Sequence, residues 1–116
     1  MHLDELRDHC LAKPGVTEGF PFDNDTLVFK VAGKMFALMS LERVPTTVNL
    51  KCDPERAVQL REEYADVEPG YHMSKVHWNT VGLQGDVPGR VVRELTDHSY
   101  DLVVSKLTKA ARATLE

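Results

Sequence analysis

Thr26-Leu27-Val28-Phe29-Lys30-Val31 and Met35-Phe36-Ala37-Leu38-Met39 flank the short segment Ala32-Gly33-Lys34. Branched and aromatic side chains crowd both runs, and Gly33 can take the positive φ of a tight turn, so the stretch reads as a β-hairpin. Downstream, the loop Glu42-Arg43-Val44-Pro45 leads into a third strand from Thr46 to Cys52. Its alternation sends Val48, Leu50 and Cys52 one way and Thr47, Asn49 and Lys51 the other. Three consecutive strands at hairpin range predict an antiparallel sheet with one face covered and the other wet or waiting for a partner.

Helices flank this hairpin-rich centre. Leu3, Leu6 and Cys10 make an apolar stripe from about Leu3 to Lys13, and Pro14-Gly15 stops it. Gly19-Phe20-Pro21-Phe22 is an irregular aromatic segment, and Asp23-Asn24-Asp25 a polar turn. Asp53-Pro54-Glu55 combines a capping carboxylate, a proline at the first helical position and an acid at the positive helix end. The helix it starts should run to about Ala65 and bury Ala57, Leu60 and Tyr64. The segment from Val67 to Trp78 reads as irregular, with a short strand near Tyr71; Trp78 to Leu83 is a further strand, turned by Gly85-Asp86. Pro88 opens the last long helix, with Val91, Val92, Leu95, Leu102, Val103 and Leu107 on its apolar side. Asp97-His98-Ser99 is a weak point where a kink is expected, and a final helical turn starts at Thr108. The reading is α+β: residues 1–116 as a single domain, a two-layer sandwich with an antiparallel sheet and helices on one face, in the order α-β-β-β-α-β(β)-α.

Composition narrows the setting. A chain of 116 residues with 42% apolar and 28% charged side chains is an ordinary globular domain, long enough to fold without a metal or a disulfide. No run approaches the ~18 apolar residues of a membrane span, and the acidic start Met1-His2-Leu3-Asp4-Glu5 lacks the features of a secretory signal, so a cytoplasmic protein is expected. Cys10 and Cys52, 42 positions apart, read as free thiols. The net charge of −4 is unevenly spread: −4 over residues 1–25, +3 over 26–51, −4 over 52–70, +1 over 71–90 and zero over 91–116. The middle of the chain is locally basic.

The stretch Pro69-Gly70-Tyr71-His72-Met73-Ser74-Lys75-Val76-His77-Trp78-Asn79-Thr80-Val81 resembles the hallmark of the MmcQ/YjbR family. Phe20-Pro21-Phe22, Lys30-Val31-Ala32-Gly33-Lys34-Met35-Phe36-Ala37, Val48-Asn49-Leu50-Lys51 and Ser99-Tyr100 support the resemblance along nearly the whole chain. It implies a compact two-layer sandwich similar to CyaY-like and secretion-chaperone-like folds, and a DNA-binding role. Ala32 departs from a hairpin that in the family more often looks like Gly-Gly.

The residues themselves leave function open. Lys30, Lys51, Asn49, Thr47 and Thr80 should share the face opposite the apolar one. With Lys34 at the hairpin tip and Lys75 and His77 nearby, they could meet phosphates. A pI of 5.7 stands against nucleic acid, and a solvated sheet face protected by lysines is the rival reading. His72, Lys75 and His77 form a polar cluster in which Tyr71 or Trp78 could stack on a ligand; alternatively Trp78 packs into the sandwich edge and the histidines brace the loop. His72 and His77 are five apart and lack further ligands, so no metal site is expected, and no cofactor. No nucleophile signature surrounds a serine or a cysteine, and no glycine loop for phosphate occurs, which predicts a non-enzymatic module. Three roles follow: DNA binding through Lys30, Lys34, Lys51, Lys75 and His77; a protein-interaction or self-associating module using the open sheet face; or a small-ligand protein with its site near Phe20, Phe22, Tyr71 and Trp78.

Overall fold

A computed structural model describes residues 1–115. Helix α1 (Leu3–Leu11) leads into strand β1 (Val16–Gly19), the hairpin strands β2 (Thr26–Val31) and β3 (Lys34–Ser40), and β4 (Thr47–Lys51). Helix α2 (Pro54–Glu63), strands β5 (Val67–Pro69) and β6 (Trp78–Gly82), the long helix α3 (Gly89–Ser105) and the short α4 (Lys109–Ala113) complete the described chain. All strand pairs are antiparallel, in the spatial order β1-β2-β3-β4-β6-β5.

The hairpin closes through a two-residue turn, Ala32-Gly33, with φ of 49° and 78°. Both residues are left-handed, the conformation that continues the twist of the flanking strands. Around Phe36 the register of β2 and β3 shifts by one residue: Phe29 faces Ala37, but Lys30 faces Met35. This bulge sends Phe36 into the core with Ala37 and Met39. On β4, Val48 and Leu50 are buried while Thr47, Asn49 and Lys51 are half-buried, as the alternation requires.

The inner face of the sheet carries one core, in which Leu6 and Cys10 of α1, Ala57 and Leu60 of α2, and Val91, Val92, Leu95 and Val103 of α3 pack over Phe29, Phe36, Leu50 and Val81. The α+β sandwich with helices on one face is therefore present, with four differences of detail. Strand β1 lies between the expected helix stop and the irregular segment from Gly19, where no element was expected; at four residues it has too little alternation to announce itself. The extra strand beside β6 is Val67–Pro69, ahead of Tyr71 rather than at it. Helix α2 ends before Tyr64, which is its C-cap and only half-buried.

Helix α3 also runs unbroken through Asp97-His98-Ser99 instead of kinking. All three side chains there are spent on tertiary bonds rather than on their own helix. Asp97 bonds His9 Nε2 at 2.7 Å and pairs with Lys13. His98 Nε2 accepts the Asp53 N–H at 3.1 Å. Ser99 Oγ accepts the Lys51 N–H at 2.9 Å and donates to the Phe36 carbonyl at 2.5 Å. The Ser99 hydroxyl thus bridges β3 and β4 just past the last pair of their ladder, Ala37 and Leu50.

Candidate functional site

The face opposite the helices is not an open sheet. Val28, Leu38 and Trp78 form a second, smaller core on it, with Met35 and Met73 packed alongside. The cover is the segment between β5 and β6, folded back across β4 and β6. Gly70 N–H donates to the Trp78 carbonyl at 2.8 Å, Trp78 N–H to Ser74 at 2.9 Å, and the Lys75 ammonium to the Gly70 carbonyl at 3.1 Å. A side chain at Gly70 would place its Cβ 2.7 Å from that of Trp78, so the close approach requires glycine. Arg61 of α2 donates to the Lys75 carbonyl of the same segment and to Asn79 Oδ1 of β6 at 2.7 Å.

Asn49 and Thr80 hold the loop to the sheet. Tyr71 N–H donates to Thr80 Oγ1 at 2.9 Å, Thr80 Oγ1 to Asn49 Oδ1 at 2.6 Å, and Asn49 Nδ2 to the Tyr71 carbonyl at 3.2 Å. Thr80 is consequently buried, not part of a solvated polar face as expected, because its hydroxyl is the middle link of that chain. His72 sits beyond it at φ of 58°, a strained backbone for a residue with a side chain.

Between this loop, the turn at residues 23–25 and the loop after β3 lies a cleft of about 540 Å³. Met35, Leu38 and Met73 form an apolar floor, Phe22 and Tyr71 are aromatic walls, and Thr47, Asn49 and Ser40 offer polar groups. Asp23, Asp25, Glu42 and Arg43 line it with charge. Arg43 lies over the Tyr71 ring, 5.1 Å from its centroid, and His72 stacks against the same ring at 4.0 Å. The Leu41 N–H donates to the Asp25 carbonyl at 2.8 Å, tying the turn to the loop that carries Glu42 and Arg43. Backbone N–H groups of Asp25 and Thr26 hold the Asp23 carboxyl below the usual carboxylate range.

The structure does not bring all the expected phosphate-binding residues onto one face: Lys30 and Lys51 share the outer face, while Lys34 pairs with core-facing Val31. Lys30 faces Met35 and Lys51 faces Trp78 across their strand pairs, and Lys34 opens β3 beside the turn. Lys75 folds onto Gly70, while the exposed His77 gives its carbonyl to the Cys52 N–H. Trp78 packs inward, the bland of its two expected roles; Tyr71 and His72 stand exposed on the cleft. Phe22 joins the cleft wall, and Phe20 lines a separate, smaller depression of about 290 Å³ with Val28 and Lys30. The floor and charged rim were invisible in the sequence: Met35, Leu38, Arg43 and Met73 meet only through strand register and the folded-back loop.

Neither thiol is activated. Burial pushes Cys10 up to about 12, and burial, with Arg56 opposing and Asp53 adding, raises Cys52. Among the described residues no three His, Cys, Asp or Glu side chains gather as a metal site, and no helix is long and apolar enough to cross a membrane.

An antiparallel six-stranded sheet with helices on one face and a loop-roofed cleft on the other defines a small α+β module. The YjbR family model matches residues 11–102, and the chain belongs to the YjbR family. It is 36% identical over 115 residues to "Uncharacterized protein YjbR" of Escherichia coli K12, covering 99% of this chain and 98% of that protein. "Uncharacterized protein YbdF" of Escherichia coli O157:H7 is 37% identical over 86% of this chain and 82% of its own length. The crystal structure of Deinococcus radiodurans protein DR2400, a DUF419 domain, superposes with a TM-score of 0.92 at 44% identity, covering 97% of this chain and 86% of that one.

Proposed function

We propose that this YjbR-family chain is a non-enzymatic binding protein that holds a small molecule in the outer-face cleft. The observation that carries the reading is the cleft itself. Its volume of about 540 Å³ lies inside the range of about 300–1,000 Å³ typical of ligand sites. An apolar floor beneath a few directed polar groups is the usual composition of such sites. The strained His72 backbone at the rim is the kind of conformation that clusters at ligand clamps. Buried, unactivated thiols fit a binding role and a reducing, cytoplasmic setting.

The reading is tested by a thermal-shift screen of a fragment library. Stabilising fragments should lose their effect in Thr47→Trp, which fills the cleft with an aromatic residue that a strand tolerates. Hits that stabilise Thr47→Trp equally, or a library without hits, would overturn it.

DNA binding is the second reading, favoured by Lys30 and Lys51 on the outer face and by Lys34 beside the hairpin turn. It predicts anisotropy-detected binding to duplex DNA that falls steeply between about 50 and about 200 mM salt and is lost in Lys51→Glu. The cleft's carboxylates lie on the same face and would repel a duplex laid along it, which ranks this reading second.

A further inference from the structure

We infer that the cleft selects an organic cation: an amine or guanidinium carried on an apolar, preferably aromatic, body. The inference deepens the cleft reading and rests on it. Three carboxylates and one guanidinium line the recess, so its charge is negative although β2, β3 and β4 each carry a lysine. Asp23 is spent on its own turn, accepting from Asp25 and Thr26. The carboxylates of Asp25 and Glu42 make no hydrogen bond or ion pair among the described residues, and the Leu41–Asp25 backbone bond sets them on one wall. The Tyr71 ring lines the same recess and already takes a cation, because Arg43 lies over it.

Arg43 makes no ion pair with the nearby carboxylates among the described residues, so it is the chain's own occupant of the aromatic seat. A ligand cation would compete with it for Tyr71 and gain the unpaired acids, while its apolar body covers Met35, Leu38 and Met73. An anion would find Arg43 alone as its partner, against the two unpaired carboxylates of Asp25 and Glu42.

Isothermal titration at low salt with three probes of one ring system tests this: naphthalenemethylamine, naphthalenemethanol and naphthalenecarboxylate. The amine should bind tightest. Glu42→Gln and Asp25→Asn should each weaken it by about three- to tenfold, and Arg43→Ala should tighten it by a similar factor, with the alcohol nearly unmoved. All three changes fall on exposed or half-buried side chains, so folding is preserved. Equal binding of amine and alcohol, or preference for the carboxylate, would overturn the cation class while leaving the cleft as the site. If no probe binds although fragments register in the cleft, the class is again overturned; a cleft that no compound perturbs removes the underlying reading as well.

Discussion

Ser99 supplies through one hydroxyl two hydrogen bonds, to the Lys51 N–H and the Phe36 carbonyl, where the β3–β4 ladder ends. Ser99→Ala would leave a buried carbonyl and N–H without partners, so a loss of about 1–3 kcal/mol is expected in denaturant unfolding, far above that of an ordinary helix Ser→Ala change. Ala32 is the opposite case, since its φ of 49° is strained for any residue with a Cβ. Ala32→Gly should raise stability by about 0.5–1 kcal/mol, the left-handed penalty outweighing the extra chain entropy of glycine. His98 carries a pH effect. Burial first, and Arg56 second, hold its pKa below the ordinary value of 6.5, against the pull of Asp53 and Asp101, and its Nε2 serves as an acceptor. A depressed pKa means that the unfolded chain takes up the proton first as pH falls. The His98 contribution is therefore complete above 6.5 and is lost as pH drops below it toward the folded value. Tm measured from pH 7.5 down to 5.5 should fall more steeply in the wild type than in His98→Gln, whose side-chain oxygen can still accept; parallel curves would contradict this.

Elements with strong local signals were legible in the sequence. The hairpin, the third strand and the Asp53-Pro54-Glu55 helix start stand where alternation and capping put them, and the Asp53 side chain accepts the Arg56 N–H at 3.2 Å. Strand β1 was not legible: Val16-Thr17-Glu18-Gly19 has one apolar residue and is a strand because β2 pairs with it. The kink expected in α3 failed for a related reason. Poor helix formers at Asp97-His98-Ser99 were read as a local weakness, whereas partners on α1, α2 and the sheet engage their side chains. The segment at residues 70–77 could be read as special but not as a roof, because its position depends on Arg61 and Asn49, both on elements that precede β5. Arg61→Ala should therefore loosen this one element: the helical circular-dichroism signal persists, Trp78 fluorescence shifts to the red, and fragment binding in the cleft weakens at least severalfold. Gly70→Ala should do the same through its clash with Trp78.

At the scale of the whole molecule, the charge pattern read along the chain becomes a polarity across one face. Lysines collect toward the hairpin turn, and Asp23, Asp25 and Glu42 collect around the cleft, so the basic middle of the sequence does not form a continuous basic surface. The sequence singled out Tyr71, His72 and Phe22 as candidates, and all three line the cleft. It could not show that the face is roofed, since a roof is a long-range contact and leaves no periodicity. The most direct test of the cleft as the working site is an amide NMR titration of the protein with naphthalenemethylamine and, separately, with duplex DNA at about 50 mM salt, where phosphate contacts are strong. The cleft account predicts that the amine shifts the amides of Leu38, Asn49, Tyr71 and Met73 while DNA moves little. Shifts confined to Lys30, Lys34 and Lys51 on adding DNA, with the cleft silent toward the amine, would contradict it.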